Sequence, residues 1–295
     1  MKLLAFHLTS GKRKPQIQSE NTVSLAQYLL WAYLNQPLDN PNIHDLSESN
    51  MDQPNRVVNA LREGRKAYGF QLTFPAPQII DIMGTLDLDY VWLDCEHGPF
   101  SLQDVENACR AAEAVGMTPI ARVPSIQSHV VLQYLDRGMK GIVGPHIATK
   151  ADAEQLVRAC KFGPEGQRSY GANRGSGHNV MEIGPEGWGD RRNYYKNAND
   201  NMLVGALLED AQVIEELDGI LEVDGIDYFG VGHHDFGQSI GKPGMGDSPE
   251  VQQVQANIYE RIRNGGGRVG DDFLVSNWVH EMLLHGGRQI IEGRN

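Results

Sequence analysis

From about residue 55 to the end of the chain, short apolar runs alternate with amphipathic stretches, and this alternation restricts the fold more than any other feature. Eight runs have the length of buried strands: AYGFQLTF (67–74), YVWLDCEH (90–97), TPIARVP (118–124), GIVGPHI (141–147), MLVGALLE (202–209), YFGVGHHD (228–235), GRVGDD (267–272) and RQIIEG (288–293). Helical spacing predicts helices near 76–84, 101–115, 127–138, 150–160, 211–223, 249–264 and 274–285. Ser101 with Asp104 resembles a capping box, and Gly116, Gly138 and Gly286 sit where helices should stop. Parallel strands covered on both faces read as continuous apolar runs and need helical crossovers. The pattern therefore predicts an α/β fold, a parallel (β/α)8 barrel over residues 55–295. On this reading the chain stops just after its eighth strand, with no eighth helix in sequence.

Residues 1–54 differ in character, being polar and rich in Asn, Gln and Ser. They hold one amphipathic stretch, SLAQYLLWAYLN (24–35), with Leu25, Leu29, Leu30, Tyr33 and Leu34 near one face. It reads as a packing helix or an oligomer contact, and it is a candidate to cover the gap left by the missing eighth helix. The formal net charge of −12 excludes a general attraction for nucleic acid or an anionic membrane. No apolar run is long enough to cross a bilayer, and in MKLLAFHLTSGKRKPQ the basic residues follow the apolar patch, the reverse of a secretory signal. Cys95, Cys109 and Cys160 are few, odd in number and widely spaced, as expected of reduced, buried thiols in a cytoplasmic protein. A thiol nucleophile at Cys95, beside His97, is the minor reading, because alternation points Cys95 and Asp94 to opposite faces.

Polar residues collect where the strands end, the face on which barrel enzymes carry their chemistry. The second run ends in Asp94, Glu96 and His97; the third carries Arg122; the fifth ends in Glu209 and Asp210; the sixth ends in His233, His234 and Asp235. Each has a plain structural alternative: an internal ion pair, a helix cap or a wet loop. Together they fit proton chemistry next to a carbonyl. A carboxylate beside His97 can fix its tautomer. Glu209 and Asp235 can hold a divalent ion through oxygen, which suits Mg2+, Mn2+ or Co2+ better than structural zinc. Arg122 can bind a carboxylate, with the metal stabilising an enolate.

The motifs LDCEHGPFS (93–101), PIARVPS (119–125), QYLDRGMKGIVGP (133–145), FGPEGQRSYG (162–171), LLEDAQVIEELDGIL (207–221) and GIDYFGVGHHDFGQSIG (225–241) occur in that order. In combination they resemble the class II, metal-dependent aldolases of the HpcH/HpaI family, over residues 55–293. The resemblance implies a barrel of the phosphoenolpyruvate/pyruvate type and retro-aldol cleavage of a 4-hydroxy-2-oxo acid to pyruvate and an aldehyde. Position by position it implies His97 as general base with Asp94 as its partner, and Arg122 on the keto-acid. Glu209 and Asp235 would be the metal carboxylates, and Asp136 an acid reaching a neighbouring subunit's site. The main-chain N–H groups of His234 and Asp235 would bind the pyruvate carboxylate. It further implies a homo-oligomer, a trimer or hexamer.

Four departures from that pattern bear on substrate and assembly. Leu207 replaces a glutamine, and His233-His234 replaces a Pro-Ala-like pair. Asp271-Asp272 at the end of the seventh run would make the mouth more negative and favour a polyhydroxylated aldehyde. The C-terminal helix is missing and the N-terminus is longer. A decarboxylase of oxaloacetate, or another enolate-forming carbon–carbon lyase or synthase on the same site, is the alternative within enzymes. A non-catalytic binding protein on a barrel scaffold is the alternative outside them.

Overall fold

The computed structural model describes residues 54–179 and 191–293. The helix expected at 24–35, with the rest of the N-terminal extension before residue 54, lies outside the described residues. Among the described residues there are seven strands: β1 (Ala67–Leu72), β2 (Tyr90–Asp94), β3 (Thr118–Arg122), β4 (Gly141–Gly144), β5 (Leu203–Leu208), β6 (Tyr228–Val231) and β7 (Leu274–Trp278). The helices are α1 (Arg56–Glu63), α2 (Pro77–Met83), α3 (Leu102–Ala114), α4 (Ser128–Asp136), α5 (Lys150–Cys160), α6 (Arg191–Asp200), α7 (Val213–Leu221), α8 (His233–Ser239), α9 (Pro249–Asn264) and α10 (Val279–Glu292). All strand pairs are parallel, in the order β6-β5-β4-β3-β2-β1-β7. The first six strands fall inside the first six apolar runs, shortened at their C-terminal ends where polar residues leave the ladder. The Ser101–Asp104 capping box forms in both directions, and Gly116 and Gly138 take positive φ beyond the ends of α3 and α4.

Two apolar clusters divide the sheet by its period of two. Phe70, Leu72, Val91, Leu93, Ala121, Ile142, Val204 and Leu208 pack against the helices. Ala67, Tyr90, Ile120, Val143, Leu203, Leu207 and Tyr228 form the inner cluster. Two inner positions are glycine because a ring occupies the place of their side chain. A Cβ on Gly69 would meet the Tyr90 ring, and one on Gly205 would meet Tyr228. By the same alternation Asp94, Arg122 and Glu209 follow Trp92, Ile120 and Leu207 on the inner face, while Cys95 joins the outer cluster.

The N-terminal ends of the strands are closed by α1. Its cap, Asn55, is fully buried; Oδ1 accepts the Val57 and Val58 N–H groups at 3.0 and 3.1 Å. The Asn55 amide donates to the carbonyls of Lys140 and Asn201, tying the helix to the turns before β4 and β5. Asp89, just before β2, accepts from Arg56 and Arg65 and from the Tyr68 N–H.

The C-terminal quarter differs from the sequence expectation. The run at 267–272 is not a strand: Val269 makes a single parallel bridge to Phe229, and Gly270–Asp272 is a 3-10 turn. The stretch 274–285, read as helix, begins with β7, whose residues alternate in burial and pair with β1. The run at 288–293, read as a strand, belongs to α10, which passes through Gly286 without stopping. Ile290 and Ile291 repeat Leu283 and Leu284 at a seven-residue spacing, which is helical. A helix therefore does follow the last strand, against the expectation of a chain ending on one. What is short is the preceding connection, since only a 3-10 turn separates Val269 from β7. β6 and β7 are joined through α8 and α9 but do not pair with each other, and β6 carries only the single Val269 bridge on that side, so the sheet stays open between them.

Candidate active site

Strand register sets Asp94 beside Arg122 at the ends of β2 and β3. The Arg122 guanidinium donates from Nε to Asp94 Oδ1 at 3.0 Å and from Nη2 to Oδ2 at 2.7 Å. Glu96 Oε2 lies 3.3 Å from Nε. Burial works against the charge on Arg122, but the bond to Asp94 and the charges of Asp94, Glu96 and Glu209 outweigh it and raise its pKa. The arginine is therefore a fixed cation on the inner face. Among the described residues no hydrogen bond engages its Nη1.

Glu209 follows β5 and is only 2 % exposed. One oxygen accepts the His146 N–H at 3.2 Å. A Cβ on Gly232 would collide with the other, so that glycine is what lets β6 approach the carboxylate. Burial pushes the Glu209 pKa up, and the His146 N–H and the charges of His146 and Arg122 only partly offset this. A buried carboxylate with one donor and spare lone pairs, next to Glu96 and ahead of Asp235, is suited to a divalent cation. Asp235 is exposed in the first turn of α8, whose N-cap is Gly232. His233, His234 and Asp235 thus begin a helix rather than ending a strand.

His97 follows the turn after β2, with its side chain 62 % exposed and Nε2 3.8 Å from Glu96 Oε2. The carboxylate of Asp94, expected to partner the imidazole, is instead clamped by Arg122 and meets His97 through its main-chain N–H at 3.3 Å. Glu96 is the acid beside the imidazole. Asp136 ends α4, a helix that returns toward the N-terminal ends of the strands, so within one chain it lies away from Arg122. Burial raises its pKa against the pull of Arg168 and Asn173. Cys95 is buried in the outer cluster, and burial pushes its thiol up, which removes it as a nucleophile. Cys109 and Cys160 are buried free thiols too.

Asp271 and Asp272, expected at the mouth, are both engaged by α9. Asp271 accepts from the Tyr259 hydroxyl and Asp272 pairs with Arg263, both on α9. The residue that sequence reasoning missed is His146. It follows β4 with φ of 52°, a left-handed conformation that costs free energy in a non-glycine residue. Its N–H holds Glu209 and its Nδ1 lies 3.1 Å from Asp210. Burial disfavours the imidazolium, but Asp210, Glu209 and Glu96 outweigh it, and the pKa is raised. The available signal was position: His146 stands two residues past the last residue of β4, as Glu96 does past β2.

Comparison with known proteins identifies the family. The family model described as HpcH/HpaI aldolase/citrate lyase matches residues 68–293. A 4-hydroxy-2-oxovalerate aldolase of Rhodococcus jostii is 31% identical over 236 residues, 79% of this chain and 86% of the relative. A 2-keto-3-deoxy-L-rhamnonate aldolase of Salmonella gallinarum is 31% identical over 73% of this chain and 78% of its own length. The crystal structure of a family protein from Burkholderia cenocepacia superposes with a TM-score of 0.70 at 25% identity, covering 81% of this chain and 98% of that one. The chain belongs to the HpcH/HpaI aldolase/citrate lyase family and is an enzyme of the aldolase type, a carbon–carbon lyase, as its motifs implied.

Proposed function

We propose that the protein is a metal-dependent aldolase that cleaves a 4-hydroxy-2-oxo acid to pyruvate and an aldehyde. The observation that carries this reading is the Arg122 cation, fixed by Asp94, beside the buried and under-bonded Glu209 carboxylate. The substrates in the names of the two aldolase relatives, both oxo acids, support it. Glu209 and Asp235 would hold a divalent ion (Mg2+, Mn2+ or Co2+), which would supply Lewis-acid polarisation of the 2-oxo group.

The chain's own residues do the rest. Arg122 presents Nη1 to the oxo acid and keeps positive charge where the enolate oxygen develops. The main-chain N–H groups of His234 and Asp235 receive the substrate carboxylate. His97 takes the proton of the 4-hydroxyl, and Glu96 beside it steadies the imidazolium. The bond between carbons 3 and 4 breaks, its electrons pass to the pyruvate enolate, and protonation at carbon 3 gives pyruvate. Asp136 serves a neighbouring subunit's site in a homo-oligomer, a trimer or hexamer. Residues 55–295 form the catalytic domain, and the enzyme works in the cytoplasm; no described helix is long and apolar enough to cross a membrane.

The test is exchange of the pyruvate methyl protons in D2O, followed by NMR with Mg2+, Mn2+ or Co2+ and then with chelator. It requires no aldehyde. Metal-dependent exchange that is largely lost in Arg122→Ala is expected. Absence of exchange with every metal would overturn the assignment to pyruvate.

A further inference from the structure

We propose a second metal site, selective for zinc-like transition ions, formed by His233, His234 and Asp247. These three side chains offer ligand atoms that all lie within 4.8 Å of one another. His233 Nε2 is 3.3 Å from Asp247 Oδ1, and the two imidazole rings have their centroids 4.1 Å apart. Four ligands at zinc bond lengths sit roughly 3.3 Å apart, so the set needs closing by about 1.5 Å. Rotation of the side chains supplies this, since Asp247 is 79% exposed and His233 40%.

Two neutral imidazoles and one carboxylate are a good donor set for Zn2+, Co2+, Ni2+ or Cu2+ and a poor one for Mg2+. Three protein ligands leave a coordination position for water.

The backbone brings the set together before any ion arrives. The Lys242 N–H donates to the Gly237 carbonyl at 2.7 Å, and the Ser248 N–H to that of Met245 at 2.9 Å, folding the 240–248 loop over α8. Gly246 makes this possible, because a Cβ there would fall 2.6 Å from His234 Nδ1. Ser248 caps α9, so an ion on the three ligands would link the start of α8 to the start of α9. Its donor set differs from the all-oxygen pair Glu209 and Asp235, and it stands or falls independently of the lyase reading.

The full-length protein would be titrated with Co2+ in saturating Mg2+, which fills the oxygen pair, and followed by visible absorption. One Co2+ per chain with d–d bands is expected. Affinity should fall at least about tenfold in Asp247→Ala and in His233→Ala, and persist in Glu209→Gln. A spectrum that does not change, or an Asp247→Ala isotherm matching wild type, would overturn the site. Intact Co2+ bands without pyruvate exchange would sink only the lyase assignment.

Discussion

Two buried carboxylates, one at each end of the strands, are treated in opposite ways. Asp89, at the N-terminal ends, is 4% exposed and receives Arg56, Arg65 and the Tyr68 N–H. Burial works against its charge, yet the Arg65 bond, the Tyr68 N–H and the charges of Arg65 and Arg56 prevail, and its pKa is lowered. Glu209, at the C-terminal ends, is buried as deeply and receives one N–H, and its pKa is raised. The first carboxylate is complete within the fold. The second is left short of partners, which costs stability and leaves acceptor capacity for a cation. The division matches the general separation of stability and chemistry between the two faces of such sheets.

Four measurements break or sharpen this contrast. The largest effect is expected for Arg122→Ala, which should lower metal-dependent pyruvate proton exchange by roughly 10³-fold; a loss below tenfold would remove the arginine from the reaction. Next, Asp89→Asn should cost about 2 kcal/mol in urea unfolding at neutral pH, because two arginines lose their acceptor. With a lowered native pKa, the Asp89 contribution is present above the ordinary carboxylate range and lost as pH falls through its depressed value. The Asn variant and wild type should therefore converge in acid.

Glu209→Gln should do the reverse in metal-free protein, raising stability by about 1 kcal/mol, since it removes a buried charge that its neighbours only partly compensate. Here the native pKa is raised, so wild-type metal-free stability should fall as pH climbs from the ordinary carboxylate range through the raised value. A destabilised Gln variant would show that Glu209 is satisfied after all. An effect of similar size, about 1 kcal/mol, is expected for Ser101→Ala, which opens the capping box of α3 and leaves exchange untouched.

Much of this arrangement is legible in the sequence, and what is not has physical causes. The period-two apolar pattern of β2, β3 and β5 places Asp94, Arg122 and Glu209 on one face, because a strand carries that information in every second residue. His146 escapes such reading: it sits beyond β4 in a left-handed conformation that no pattern of hydrophobicity signals. The C-terminal quarter misleads for a different reason. A reading that assumes one helix per strand looks for a crossover after Val269, where the chain has only a short turn. Leu283, Leu284, Ile290 and Ile291 are 60–68% exposed, so apolar character there does not mark burial. The pairing of Asp94 with Arg122 rather than with the His97 ring is set by register between two strands, a long-range property absent from either run alone.

The interlock of Gly69 with Tyr90 and of Gly205 with Tyr228 reaches further than the core it fills. A strand that slips by one residue turns every side chain to the other face, and a ring seated against a missing side chain forbids the slip. Tyr90 and Asp94 share one face of β2, four residues or about 13 Å apart. The inner wall of the sheet thus acts as a gauge: the place where a tyrosine meets a glycine near one end fixes how high the functional carboxylate stands at the other. Changes to those two glycines should misalign the chemistry from a distance, without touching any residue that performs it.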